Sequence, residues 1–205
     1  MLDYFPKRTP QGYSVSESHE RYAGKIFRVV ADLVTFPDGS TALRDVVKHG
    51  GAVAVVAIDD QQRVVMLEQY RHSVRDFLWE LPAGLRDVDG EPPVDAAKRE
   101  LIEEAGFGAA DWRTLVDVVS AAGFSNERVR IFLATGLSES SDTSFEREAE
   151  EADLIVRRIP IDECVRAVMS GRIVNSLAIA GVLATVAHLS DPSSALRSAD
   201  LPWPA

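Results

Sequence analysis

The chain of 205 residues has one cysteine, Cys164, so it closes no internal disulfide, which suits a reducing compartment; the cytoplasm is expected. Positive charge is also scarce. With 22 Lys and Arg against 32 Asp and Glu, the formal net charge is −10, which argues against nucleic acid and anionic membranes as partners. Long hydrophobic runs are missing too. The most apolar stretch, residues 173–189, is interrupted by Asn175, Ser176, Gly181, Thr185 and His188, and is too short and broken to cross a bilayer. The first residues, MLDYFPKRTPQGY, lack an apolar core, so no signal peptide is expected. His19, His49, His72 and His188 show no ligand spacing. Cys164 has no neighbouring histidine and reads as a packed core thiol rather than a nucleophile.

What the chain does have is acid in a particular pattern. Residues 84–107 read GLRDVDGEPPVDAAKRELIEEAGF. On a helix, Glu100, Glu103 and Glu104 stand at i, i+3 and i+4 and share one face. Each such pair repels by roughly 0.2–0.5 kcal/mol in water, and more where water is excluded. A hard divalent cation removes that repulsion, and Mg²⁺ takes carboxylate oxygens together with substrate phosphates. The plain alternative is a solvated acidic helix. Against it, Pro92-Pro93 is fit to open a helix and Gly106 to stop one, while Ala96, Ala97, Leu101 and Ile102 supply an apolar side. One face can then pack while the glutamates look into a cleft.

Around this segment the periodicity predicts an irregular arm over 1–20 and a hairpin of strands 26–36 and 41–48 about Pro37-Asp38-Gly39-Ser40. Strands are expected at 52–58, 64–69, 78–83, 112–119, 127–134 and 154–159, and helices at 162–169 and 175–189. The organisation expected is an arm and hairpin over 1–50, a main domain over 51–190 and a loosely held tail over 191–205. A two-stranded ribbon buries too little surface to stand alone, so the hairpin must pack on the main domain or on a partner.

Residues 91–107 resemble the Nudix box, G-x5-E-x7-R-E-U-x-E-E-x-G-U, with U a bulky apolar residue, from Glu91 through Arg99, Glu100, Leu101, Glu103, Glu104 and Gly106 to Phe107. Six residues rather than five separate Gly84 from Glu91, so Asp87-Val88-Asp89-Gly90 is expected to bulge outward. The resemblance implies an α/β (α+β) fold, the Nudix α/β/α sandwich with a mixed sheet. It implies Mg²⁺, with Mn²⁺ as a substitute, on Glu100, Glu104, Glu103 and the carbonyl of Ala83. Arg99 is expected to fix the glutamates.

The motifs RDVVKH at 44–49, EQYRH at 68–72 and WELPAG at 79–84 are similar to the ADP-ribose pyrophosphatase branch. That likeness implies an N-terminal antiparallel β-sheet swapped in a homodimer. Phe27 and Arg44, with Asp45 beside it, would reach the nucleotide from one subunit, and Arg71 and Glu80 from the other. Each has a bland reading: Phe27 as core or interface, Arg44 as a solvent-facing edge residue, Arg71 as a surface ion pair with Asp76, Glu80 as structural. Trp79 is assigned to the core. AAGFSNE at 121–127 resembles the branch's Pro-Gly-Phe-Ser-Asp-Glu loop, but Ala122, sixteen residues beyond Gly106, replaces the subgroup's proline. In this branch the segment before the 154–159 strand supplies a glutamate that activates water, here Glu151 or Glu150. The expected reaction is Mg²⁺-dependent hydrolysis of ADP-ribose to AMP and ribose 5-phosphate. Another nucleoside diphosphate derivative as substrate, or a non-catalytic nucleotide sensor, are the alternatives.

Overall fold

The chain divides into two units, Met1–Gly50 with Ala121–Glu127, and Gly51–Ser120 with Arg128–Ala205. The computed structural model describes residue 5 and residues 8–140, 153–191, 193 and 195–203. Among the described residues, no helix is long and apolar enough to cross a membrane.

The first unit is an antiparallel sheet of β1 (Ser14–Ala23), β2 (Phe27–Thr35) and β3 (Thr41–His49) in the order β1-β2-β3. β1 corrects the irregular arm expected over 1–20. All ten of its residues are exposed, so it carries no apolar alternation to announce it. Backbone pairing with β2 holds it instead, with register shifts between Val15 and Glu17 and between Glu20 and Tyr22, and Ser18 Oγ donates to Asp32 at 2.6 Å. At the β2–β3 turn Gly39 takes φ 81°, a conformation glycine adopts at no steric cost. Ala121–Glu127 belongs to this unit: the Val47 N–H donates to Phe124 O at 2.8 Å, and the His49 N–H donates to Asn126 Oδ1 at 2.8 Å. The Ala121 carbonyl accepts from the N–H groups of Phe124 (3.1 Å) and Ser125 (2.9 Å), so this turn closes without proline at Ala122.

In the second unit, β4 (Ala52–Ala57) is AVAVVA and every residue is buried. A strand buried on both faces needs cover on both. Its alternation supplies two cores: Ala52, Ala54 and Val56 face one, Val53, Val55 and Ala57 the other. β4 lies in a mixed five-stranded sheet, with β7 (Ala83–Leu85) antiparallel on one side and β9 (Arg128–Glu139) parallel on the other. The sheet continues through β8 (Phe107–Val119) to β11 (Arg197–Ser198), giving the order β11-β8-β9-β4-β7. A second, three-stranded sheet runs β10-β5-β6, from β10 (Ile155–Pro160), β5 (Arg63–Arg71) and β6 (Asp76–Glu80). Helix α1 (Pro93–Ala105) covers one core; α2 (Ile161–Met169) and α3 (Ser176–Ser190) cover the other. The result is the α/β/α sandwich with a mixed sheet.

Two expectations are corrected here. The single strand over 78–83 is two strands in different sheets, broken at Leu81-Pro82, where proline removes a ladder donor. The tail beyond Asp191 is anchored rather than loose. β11 pairs with β8, Thr114 Oγ1 donates to Ser198 O at 2.8 Å, and Ala199 is buried. Arg130, 2% exposed, donates to Asp117 Oδ1 at 2.8 Å and to the carbonyls of Leu201 (2.6 Å) and Pro202 (3.1 Å). Arg197 closes on the other oxygen of Asp117 at 2.7 Å. Burial pushes the Asp117 carboxyl up, but the hydrogen bonds from Arg130 and Arg197 outweigh it and hold it below the usual range. Trp203 lies under the Arg86 guanidinium at 4.1 Å, and a Cβ on Gly51 would come within 2.7 Å of its ring. Polar carbonyls reaching a buried guanidinium leave no hydrophobic periodicity, which is why the tail reads as loose.

Arg130→Ala removes one side of a buried ion pair and orphans two carbonyls, a change that costs about 3–5 kcal/mol. The expected result is a fall in the thermal midpoint of roughly 6–20 °C, measured by calorimetry.

Candidate active site

Helix α1 starts at Pro93, whose missing N–H costs nothing in a first turn, and ends at Gly106 (φ 73°, ψ 24°), whose N–H caps Ile102 and Leu101 carbonyls. Val94, Ala96, Ala97, Leu101 and Ala105 pack into the core. The remaining face carries the acids, and it is not a solvated one. Glu100 and Glu104 are 9% and 7% exposed.

Arg99 organises them. Its Nη1 donates to Glu100 Oε1 at 2.7 Å and to Glu103 Oε2 at 3.2 Å, while Nε and Nη2 each reach Glu91 at 3.3 Å. Asp87 stands 3.8 Å from Nη2. Burial would depress this guanidinium's pKa, but its hydrogen bonds and charge pairing with Glu91 and Glu100 raise it further above the arginine range. For Glu100 the balance goes the other way: burial raises its pKa, Arg99 lowers it, Glu103 and Asp87 raise it, and the net shift is upward.

Glu104 is held from the strand side. The Ala83 N–H donates to Glu104 Oε2 at 2.8 Å. Gly84, next along β7, has Glu100 against its bare Cα; a Cβ built there would overlap the Glu100 carboxyl carbon and both its oxygens. The glycine is required by that close approach. Asp87, Val88, Asp89 and Gly90 are exposed, with Gly90 at φ 78°, so the extra loop residue does bulge outward while Glu91 returns to Arg99.

This arrangement suits a hard cation. The donors are carboxylate oxygens, burial together with repulsion from Glu103 and Asp87 leaves Glu100 reluctant to ionise, and metal charge would reverse that reluctance. Arg99 and Ala83 engage one oxygen each of Glu100, Glu103 and Glu104, and among the described residues no group of three His, Cys, Asp or Glu side chains is gathered closely enough to hold a metal ion as it stands.

Arg71 and Glu80, both in the second unit, face each other across β5 and β6. Arg71 Nε lies 3.1 Å from each oxygen of Glu80, and Nη2 is 2.6 Å from Oε2. Arg71 thus forks onto Glu80, which is buried at 5% exposure. In the first unit, Phe27 is 41% exposed beside Tyr22. Arg44 donates to Leu43 O at 2.8 Å with its guanidinium 5.6 Å from the Phe36 ring, and Asp45 is exposed on β3. Glu150 and Glu151 lie outside the described residues.

Two residues of the site were not singled out from sequence. Glu91 is a motif position whose task, gripping Arg99 from the loop, shows only in the fold. Arg86, stacked on Trp203, has a buried Nε without a hydrogen bond; burial and nearby Arg130 lower its pKa. No local spacing signals a contact with the far end of the chain.

A family model described as the NUDIX domain matches residues 48–171. The chain is 50% identical over 172 residues, 84% of this chain and 82% of the relative, to an ADP-ribose pyrophosphatase of Mycobacterium tuberculosis. It is 33% identical over 166 residues, 81% of this chain and 88% of the relative, to a methanol dehydrogenase activator of Bacillus methanolicus. Its fold matches a crystal structure of an ADP compounds hydrolase with a TM-score of 0.75 at 21% identity, covering 92% of this chain and 100% of that one. With the Arg99-centred glutamates on a helix that leaves a glycine strand, and the family model covering well over half the sequence, the chain belongs to the NUDIX domain family.

Proposed function

We propose that this protein is a Mg²⁺-dependent pyrophosphatase that hydrolyses ADP-ribose to AMP and ribose 5-phosphate. The observation that carries the reading is the set of glutamates around Arg99, with Glu104 tied to Ala83 and Glu100 packed on Gly84. The ADP-ribose pyrophosphatase that is 50% identical supports the choice of substrate. Glu100, Glu103, Glu104 and the carbonyl of Ala83 would hold Mg²⁺, or Mn²⁺ in its place. A cation there supplies charge neutralisation for the pyrophosphate and a more acidic water. Arg99 keeps the carboxylates oriented and does not touch substrate. Glu151, or Glu150 beside it, takes a proton from the attacking water, and one P–O bond of the pyrophosphate breaks as the new one forms.

The Arg71–Glu80 fork supports a role for both in the nucleotide site. A buried glutamate held by a partly exposed arginine gives a fixed acceptor for a ribose or amine and leaves guanidinium edge for phosphate. We further propose a cytoplasmic homodimer in which Phe27, Arg44 and Asp45 serve the nucleotide of a second copy. Tyr22, Phe27 and Leu43, exposed on the first unit's sheet, support such a partner.

Three measurements test this. Across a panel of ADP-ribose, ADP-glucose, GDP-mannose, NADH, diadenosine polyphosphate and oxidised dGTP, AMP should be released chiefly from ADP-ribose. Glu104→Gln should lose more than about a hundredfold in turnover with its melting curve intact; near-normal turnover at saturating Mg²⁺ would remove the metal assignment. Of Glu150→Gln and Glu151→Gln, one should lose about 10²–10⁴-fold in kcat and the other only a few-fold, as for a single general base.

Metal binding should also depend on pH with a definite sign. The Glu100 pKa is raised on folding, so its contribution to stability is present below the unfolded value and is lost as pH rises through the folded one. A cation binds only the ionised form and offsets that loss. Mg²⁺ at a hundred times its Kd stabilises by about 2.7 kcal/mol, roughly 5–10 °C in midpoint. The expected shift is larger at pH 8 than at pH 5 and is reduced in Glu104→Gln, as read by thermal melts.

A further inference from the structure

The second unit holds a cavity of about 830 Å³ between β10 and α2, bounded also by the start of the α2–α3 connection. It is on the core face opposite α1. Its walls include Ile159, Cys164 and Ile173, which belong to the core under α2 and α3, whereas α1 belongs to the other core. None of the glutamates around Arg99 lines it.

Its charge is unlike that of the chain. The protein carries −10 overall, yet Arg157, Arg158, Arg166 and Arg172 line this cavity with Glu163 as its one acid. Arg158 is also engaged outside it, 5.7 Å from the Phe107 ring and 3.8 Å from Asp59, while alternation along β10 puts Arg157 on the same face as Ile159. Arg166 holds Glu163 at 2.7 Å. The Glu163 carboxyl is pulled below its usual range first by Arg166 and also by Arg172, so both guanidiniums sit near one carboxylate. Asp162 adds a weaker pull on Arg166 but does not line the cavity. Four guanidiniums against one carboxylate, with Arg158 also reaching Asp59 outside the cavity, leave a local positive surplus. Among the described residues, no hydrogen bond or ion pair is made by the guanidinium of Arg157 or of Arg172, while the Arg172 backbone N–H donates to Ala167 O at 2.8 Å.

The rest of the wall is apolar. Trp79 is partly buried, packed against the core as expected, and its indole also lines the cavity. Pro160, Ala167 and Ile173 add aliphatic surface, and the Cys164 thiol, pushed up to about 11 by burial, stays neutral. A volume within the range of small-molecule sites, an apolar wall with an indole, and a few convergent charged donors are the composition of a ligand pocket. Guanidinium forks match phosphate oxygens, and a phosphomonoester carries about −1.5 to −2 at neutral pH, which a positive surplus favours. A bare phosphate would leave the indole and the aliphatic wall unused.

We propose that this cavity is a second, metal-independent binding site for a nucleoside monophosphate, its phosphate on Arg157 and Arg172 and its base against Trp79. The proposal does not depend on the catalytic reading, because none of its residues belongs to the metal-binding helix.

The test is titration of AMP into the full-length protein in EDTA, followed by calorimetry and tryptophan fluorescence. Wild type should bind AMP more tightly than inorganic phosphate, with quenching that Trp79→Phe largely removes. Arg157→Ala/Arg172→Ala should weaken AMP by at least tenfold while Mg²⁺-dependent ADP-ribose turnover stays within twofold. Glu163→Gln, which frees Arg166 and Arg172 from their competing carboxylate, should tighten AMP several-fold and guards against misreading a folding defect. Glu104→Gln should leave EDTA binding unchanged, so loss of turnover and loss of this site are read separately. No binding in EDTA, equal affinity for phosphate and AMP, or AMP affinity unmoved by the arginine pair and by Glu163→Gln would each overturn the proposal.

Discussion

One guanidinium makes the acidic site possible. Arg99 lies within reach of Glu91, Glu100, Glu103 and Asp87, four carboxylates that would otherwise drive each other apart in a poorly hydrated cleft. A lysine could offer only a point charge, whereas the planar fork sends separate donors to the helix and to the loop. Two of those bonds are local, to the next residue and to i+4. The others draw the loop back through Glu91. Because the loop descends from β7, the same grip seats Gly84 under the Glu100 carboxylate and Ala83 beside Glu104. Helix, strand and loop therefore share one electrostatic tie, and the geometry of the glutamates is fixed by protein donors.

The second organising constraint is the parity of a short strand. β4 has only Ala and Val, is buried throughout, and sends alternate residues to two cores. One core carries α1 and its acids; the other carries α3, where Gly181 has no Cβ because Leu81 and Val56 would stand 2.7 and 2.8 Å from it. The molecule thus separates its chemistry by sign. Acid lies on the α1 side, and the arginine-lined cavity lies with α2 behind the sheet.

Much of the fold could be read directly because its elements have complete local signatures. The box helix has prolines before it, a left-handed glycine after it and an apolar stripe between, and it runs from Pro93 to Ala105. Asn175 in front of α3 accepts from the N–H groups of Leu177 and Ala178, the capping its residue type promises. The features that escaped lack any such signature. β1 is exposed along its length and is held by backbone pairing, so its side chains carry no period. The C-terminal segment is fastened by Arg130 to carbonyls some seventy residues away, and a carbonyl is the same in every residue type.

The same division applies to the site. Sequence by itself determined which residues could carry the chemistry, because i, i+3 and i+4 on a helix place Glu100, Glu103 and Glu104 together whatever surrounds them. It also determined that Gly84 had a role, though not its reason. Tertiary structure alone decided that Glu100 faces a bare Cα, that Glu104 is bonded by Ala83, that Arg71 forks onto Glu80, and that Arg157, Arg172 and Trp79 line one cavity. The physical reason is range: helical spacing is set by bonded geometry over four residues, whereas these contacts are set by how sheets and helices pack, which no short window of sequence contains.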